Sequence, residues 1–191
     1  MNLPSAIYLT KMIESVCVYC ASSAKVPQIY LDDAQCFGRL LADNGIHCLY
    51  GGGGAGLMGA LSEGVLSAGG GITGIIPRFM IERRWHRADL PDLIEVQTMH
   101  ERKAMLMSRA GAAVALPGGV GTFEELVEAI TWRKLGLFHK PVFILNTRGF
   151  YNPLLQLLEN AIKEEFMEES DRNLWTITHS PEELINALKN V

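Results

Sequence analysis

Three groups of residues have types and spacings suited to chemistry on a phosphorylated ligand. The first is the run Gly51, Gly52, Gly53, Gly54, Ala55, Gly56, set between an apolar strand-like stretch and a helical one. Without side chains, the backbone N–H groups of such a loop can approach phosphate oxygens, and the positive end of the helix dipole adds to the attraction. Gly54, Gly56 and Gly59 spell G-x-G-x-x-G. By itself this is a weak sign of a dinucleotide, and the next strand, ITGIIP, carries no acidic residue to read a ribose. Gly54 and Gly59 also have phosphate-loop spacing, but Ala60 and Leu61 stand where Lys and Ser or Thr are required. NAD and ATP sites are therefore disfavoured. A tight turn serving only helix–sheet packing is the competing reading.

The second group is Pro117, Gly118, Gly119, Val120, Gly121 and Thr122, followed by Phe123, Glu124 and Glu125. It too joins an apolar strand to a helix. Thr122 can cap that helix or donate its hydroxyl to a phosphate oxygen. Glu125 and Glu128, three residues apart, share a helix face. A carboxylate beside an anion-binding loop is electrostatically unfavourable unless it has a chemical task. Complementing the helix dipole is the bland alternative, and it suits Glu124 better than Glu125. The third group is the adjacent pair Arg102 and Lys103 near a helix start. Such cations can neutralise phosphate or hold a carboxylate, arginine through two oxygens at once.

Around these groups the chain alternates strand-like and helix-like segments. Apolar runs at 16–19, 46–50, 71–76, 93–97, 112–116 and 142–146 read as strands, with a short last strand at 175–178. Helical periodicity fills 27–44, 57–68, 101–109, 123–137 and 151–167; in the last of these Leu154, Leu155, Leu158, Ile162 and Phe166 fall on one side. Ser180, Pro181 and Glu183 form a capping-box start for a final helix. Residues 78–92 show no clean period. Repeated β-then-α units predict a doubly wound, mostly parallel, Rossmann-like α/β sheet with helices on both faces. The expected layout is one domain over residues 15–191, preceded by an extension at 1–14. Such sheets bind ligands at the carboxyl ends of their strands, where both glycine loops fall.

Composition narrows the function classes. A formal charge of −4 argues against a general nucleic-acid binder. No apolar run is long enough to span a bilayer, and no secretion signal is evident at the start, so a cytoplasmic protein is expected. Cys17 and Cys20 form a C-x-x-C, but on a strand residues three apart point to opposite faces. No second ligand pair completes a zinc site, so neither a metal nor a cofactor is expected. Trp132, Leu135 and Leu137 could belong to the core or to a subunit surface.

Taken together, GGGGAGLMG, MHERKA, LPGGVGTFEELVEAITW and LG-x-x-x-KPV closely resemble the LONELY GUY (LOG) family of nucleoside 5′-monophosphate phosphoribohydrolases, often labelled lysine decarboxylase-like. The similarity runs from about Val16 to the C-terminus. It implies a homodimer with active sites near the interface, and cleavage of N6-substituted adenosine monophosphates, or AMP, to free base and ribose 5-phosphate. The family's catalytic pair falls on Arg102 and Glu125. Its nucleotide contacts fall on Lys103, Gly119, Val120, Gly121, Thr122, Glu124 and Thr131, with Gly118, Gly52, Gly53, Gly54 and Ser22 as further expected substrate-binding positions. The chain departs from the pattern at Arg84, where the family has a substrate-contacting glutamate, at Ala21, where a glycine is usual, and at Lys134, where glutamine is common. A non-catalytic carrier of a nucleotide or phosphorylated cofactor could share the same loops. A pyridoxal-dependent decarboxylase would need a Schiff-base lysine with its supporting site, and Lys103 or Lys140 would have to serve.

Overall fold

A computed structural model describes residues 13–191; residues 1–12 of the expected extension lie outside the described residues. The apolar runs become strands β1 (Ser15–Tyr19), β2 (His47–Tyr50), β3 (Ile72–Pro77), β4 (Leu93–Val96), β5 (Ala112–Ala115), β6 (Val142–Leu145) and β7 (Thr176–Thr178). They form one sheet in the order β4-β3-β2-β1-β5-β6-β7, and every neighbouring pair is parallel. Between them run helices α1 (Gln28–Asp43), α2 (Gly56–Ser67), α3 (Arg78–Glu82), α4 (Met99–Arg109), α5 (Val120–Lys134) and α6 (Asn152–Lys163), with α7 (Pro181–Lys189) last.

Both sheet faces are covered, which is why β1 and β2 are apolar after their first residues and β5 and β6 throughout. On one face Phe37 and Leu41 of α1, Leu57 and Leu61 of α2, and Leu184 of α7 pack on Val16, Val18, Cys48 and Tyr50. On the other, Leu106 and Met107 of α4 and Leu126 and Ile130 of α5 pack on Cys17, Leu49, Ile75, Ala113 and Ala115. The C-x-x-C thiols diverge as strand geometry requires, Cys17 to the second face and Cys20 to the first. α1 and α2 touch backbone to backbone: a Cβ on Gly38 would meet the Leu61 carbonyl oxygen at 2.2 Å.

The direction of strand addition reverses between β1 and β5, and the chain is tied together there. Ala21 N–H donates to the Pro117 carbonyl at 3.2 Å, and the Ala21 carbonyl accepts from Met58 N–H at 3.2 Å. One residue thus fixes both glycine loops relative to each other. Capping is as the sequence predicts at α7, where Glu183 N–H donates to Ser180 Oγ at 3.2 Å. α4 begins two residues earlier than expected, at Met99, because Thr98 and Glu101 form a capping box. α6 is shorter than its periodicity suggests. It stops at Lys163, Glu165 turns into the left-handed region at φ 62°, and Phe166 is left 83% exposed rather than on the packed side.

Candidate active site

A cavity of about 650 Å³ opens at the carboxyl ends of the strands. Its floor is Gly51, Gly53, Gly54 and Ala55, at the N-terminus of α2. Met58, Ile76, Met80 and Trp85 give it apolar walls. Ser22, Arg84, His86 and Arg102 supply its polar groups.

Arg102 reaches the floor from the first turn of α4 and is only 7% exposed. Its Nη2 donates to the Gly51 carbonyl at 3.3 Å, while Nη1 meets only the sulfur atoms of Met80 and Met99, at 3.6 and 3.9 Å. Its Nε is buried without a partner. A guanidinium that finds one oxygen and two thioethers retains most of its donor capacity for a ligand. Burial disfavours its charge, and the nearby Glu125 carboxylate opposes that effect.

Glu125 sits on the first turns of α5, half-buried. Burial pushes its carboxyl up to about 7; Arg102 pulls the other way, and Glu124 adds to the rise. Its side chain makes no hydrogen bond among the described residues. Glu125 is therefore poised near neutrality, as a group that exchanges protons with a substrate or water should be. It is not among the residues that line the cavity.

Lys103 is arranged differently from the phosphate-neutralising cation read from the sequence. Its Nζ donates to Glu124 and, at 3.1 Å, to Glu128. Burial works against its charge, and the two carboxylates outweigh that effect and raise its pKa. The i, i+4 pair that shares a task is thus Glu124 with Glu128, which clamp α5 to α4, and Glu125 is left free.

The second glycine loop forms the N-terminus of α5. Gly118 is buried against Thr122, which is 4% exposed. Gly119 and Gly121 are different: a Cβ on either would meet nothing within 4 Å, and both backbones face solvent. No packing requires glycine there. Backbone N–H groups at the exposed start of a 15-residue helix are of the kind that can bind an anion. Val120 is 83% exposed. Thr131 is exposed, and its hydroxyl donates to the Val127 carbonyl at 2.8 Å. Gly52 is buried beneath the floor, at φ +74°.

The segment from Arg84 to Arg87 had no readable period in the sequence, yet it builds one side of the cavity. Gly53 and His86 form an antiparallel bridge, Gly54 N–H donates to the Trp85 carbonyl at 3.4 Å, and Arg87 N–H donates to the Gly52 carbonyl at 2.9 Å. The Arg87 side chain then pins the segment to α2, donating to Ser62 at 3.0 Å and Glu63 at 2.8 Å, and to Asp89. The signal available beforehand was the concentration of four cationic or aromatic residues between Arg83 and His86, without a helical or strand pattern to employ them.

Residues 58–188 match a family model described as "Possible lysine decarboxylase". The chain is 40% identical over 174 residues to the rice protein named cytokinin riboside 5′-monophosphate phosphoribohydrolase LOG (Oryza sativa subsp. japonica), covering 91% of this chain and 72% of that one. It is also 40% identical over 174 residues to LOG2 of Arabidopsis thaliana, which carries the same enzyme name, covering 91% of this chain and 82% of that one. The chain belongs to the LOG family. The LOG fold extends beyond these enzymes: the molybdenum cofactor binding protein of the phototrophic bacterium Rippkaea orientalis superposes with a TM-score of 0.71 at 23% identity, covering 95% of this chain and 98% of the other. At that identity the likeness concerns the fold alone. Arg102 and Glu125 lie near enough for the charge of each to act on the other. Among the described residues no helix is long and apolar enough to cross a membrane.

Proposed function

We propose that the chain hydrolyses the N-glycosidic bond of purine nucleoside 5′-monophosphates, releasing free base and ribose 5-phosphate. Cytokinin riboside 5′-monophosphates are the substrates in the relatives' names. The observation that carries the reading is the Arg102–Glu125 pair: a buried, under-coordinated guanidinium near a carboxyl held near neutrality, at a helix start whose Gly119 and Gly121 are exposed.

In this reading the 5′-phosphate sits on the N–H groups of Gly119, Val120, Gly121 and Thr122, and the base enters the apolar cavity. Cleavage builds oxocarbenium character on the ribose. Water adds to C1′ and gives its proton to the Glu125 carboxylate; the electron pair of the C1′–N bond leaves with the base, which takes a proton from solvent. Arg102 orients Glu125 and the ribose, and keeps enough of the carboxyl ionised for it to act as a base. Binding energy from the remote phosphate holds the reacting atoms in place.

The active unit is a homodimer. Val120, Phe123 and Val127 form an exposed apolar row on α5, continued by Leu135 and Leu137, which are 64% and 68% exposed. Thr131 falls in the same row, about 13 Å along the helix from Thr122 at 1.5 Å per residue. Its nucleotide contact is therefore made across the interface, to the partner's site.

The test is chromatography of products after incubating the purified chain with AMP and with N6-isopentenyladenosine 5′-monophosphate. Release of base and ribose 5-phosphate by wild type, and not by Glu125→Gln, supports hydrolysis. Tight nucleotide binding with no product from either protein would favour a carrier.

A further inference from the structure

Two of the side chains that line the cavity, Arg84 and Arg102, are fixed cations. Arg84, His86 and Arg102 point their chemistry at it, and no carboxylate is among its lining residues. Arg84 has no ion-pair partner among the described residues. Two groups are left wanting: Arg102 Nε and His86 Nδ1 are buried with no hydrogen-bond partner. The remaining walls, Met58, Ile76, Met80 and Trp85, suit a flat heterocycle and offer nothing to a phosphate. One face of the Trp85 ring carries the Arg83 guanidinium, 5.1 Å from its centroid.

The Arg84 backbone adds an independent observation. Arg84 stands just past the end of α3 with φ 58°, a left-handed position normally given to glycine, and its N–H closes the helix on the Ile81 carbonyl at 2.8 Å. That turn carries the chain from α3 onto the segment bridged to the cavity floor, and it sets Arg84 at the cavity.

We infer that Arg84, supported by His86, reads the base, and that the preferred substrates are nucleoside monophosphates of 6-oxopurines, such as IMP and GMP, over those of 6-aminopurines. The inference rests on the proposed glycosidic hydrolysis and narrows its substrate. A 6-oxopurine shows O6 and N7 on one edge, both acceptors, and arginine matches that pair with two parallel donors. Adenine and its N6-substituted forms place an N–H donor at that edge. Opposite Arg84 that N–H meets a cation, and N7 is left as the one acceptor, so adenine forfeits one of the two hydrogen bonds.

The experiment compares IMP, GMP and AMP with the purified full chain, wild type and Arg84→Glu, by kcat/KM for base release and by calorimetric binding of each nucleotide to Glu125→Gln. Wild type is expected to favour IMP over AMP by tenfold or more, Arg84→Glu to reverse the order, and His86→Ala to narrow it. A ratio between substrates is insensitive to partial loss of folded protein. Equal or better use of AMP by wild type, or a ratio that Arg84→Glu does not move, overturns the inference. If no nucleotide is hydrolysed, the functional reading fails on its own; tighter binding of IMP than AMP would still uphold the base preference, and equal or absent binding would overturn it.

Discussion

The guanidinium of Arg102 occupies the space that a side chain on Gly51 would need: a Cβ there would lie 1.9 Å from Nη2. The same residue supplies the carbonyl that holds Nη2 at 3.3 Å. Gly51 therefore does two things, admitting the cation and giving it an oxygen. Gly51→Ala is expected to displace Arg102 and to lower kcat by about 10²–10³, the range for loss of one charge-stabilising donor. Arg102→Ala should lose about as much, and the double variant little more than either, because both remove the same interaction. Additive losses would show that Gly51 acts independently of Arg102.

Glu125 makes the reaction depend on pH with a defined sign. Its carboxyl is held near 7 and must be ionised to accept a proton from water. kcat/KM should rise with pH and reach half its limit near pH 7. Arg102→Ala removes the charge that favours ionisation, so in that variant the same limb should move to higher pH. A flat profile between pH 5 and 9 would contradict the role of base.

The same carboxyl opposes folding at high pH. Its folded pKa lies above the ordinary value of 4.5, so the native state holds its proton more tightly than the unfolded one. Folding is unaffected by this group below the unfolded value and loses stability as pH rises through the folded value. Glu125→Gln, which never ionises, should be more stable than wild type at pH 8, by up to about 3 kcal/mol, the free energy of moving a carboxyl between those two values. The two proteins should melt alike at pH 4. Turnover should fall by about 10²–10⁴ in the variant while nucleotide still binds. Melting curves at the two pH values check the first part, and single-turnover kinetics the second.

Arg84 trades stability for its place at the cavity. Relief of the left-handed backbone in Arg84→Gly should stabilise the fold by about 1 kcal/mol. Denaturant titration would measure that gain, and a loss of stability would mean that the arginine contributes packing that outweighs the strain.

The exposed row on α5 predicts the oligomer. Val127→Glu puts a charge in the middle of that row. Light scattering should show wild type at twice the chain mass and the variant as a monomer with little activity. A wild-type monomer with full activity would remove the dimer from the reading.

Much of this was legible in local pattern. The apolar strands, the Gly45 helix stop, the Ser180 cap and the two glycine loops all depend on neighbours close in sequence, and the parallel sheet follows from their alternation. What escaped depends on contacts between distant residues. Lys103 looked available for phosphate because Glu124 and Glu128, 21 and 25 residues on, come to it only when α4 and α5 pack. Lys134, where the family resemblance implied glutamine, is answered 37 residues away by Asp171, which it contacts at 2.5 Å. Residues 84–87 form neither helix nor strand of their own; their conformation is borrowed from the glycine loop through a single antiparallel bridge. The exposure of Phe166 followed from a helix ending one turn early, which periodicity cannot mark.

That borrowed conformation bears on how such a protein changes over time. Residues 84–86 are held in place by main-chain groups and by Arg87, and their own side chains do little to anchor them. Exchanging those three side chains therefore leaves the phosphate loops, Arg102 and Glu125 where they are. Under the proposed function, descent with modification retunes the choice of base here without rebuilding the reaction centre, and a library randomised at these positions alone would sample new specificities.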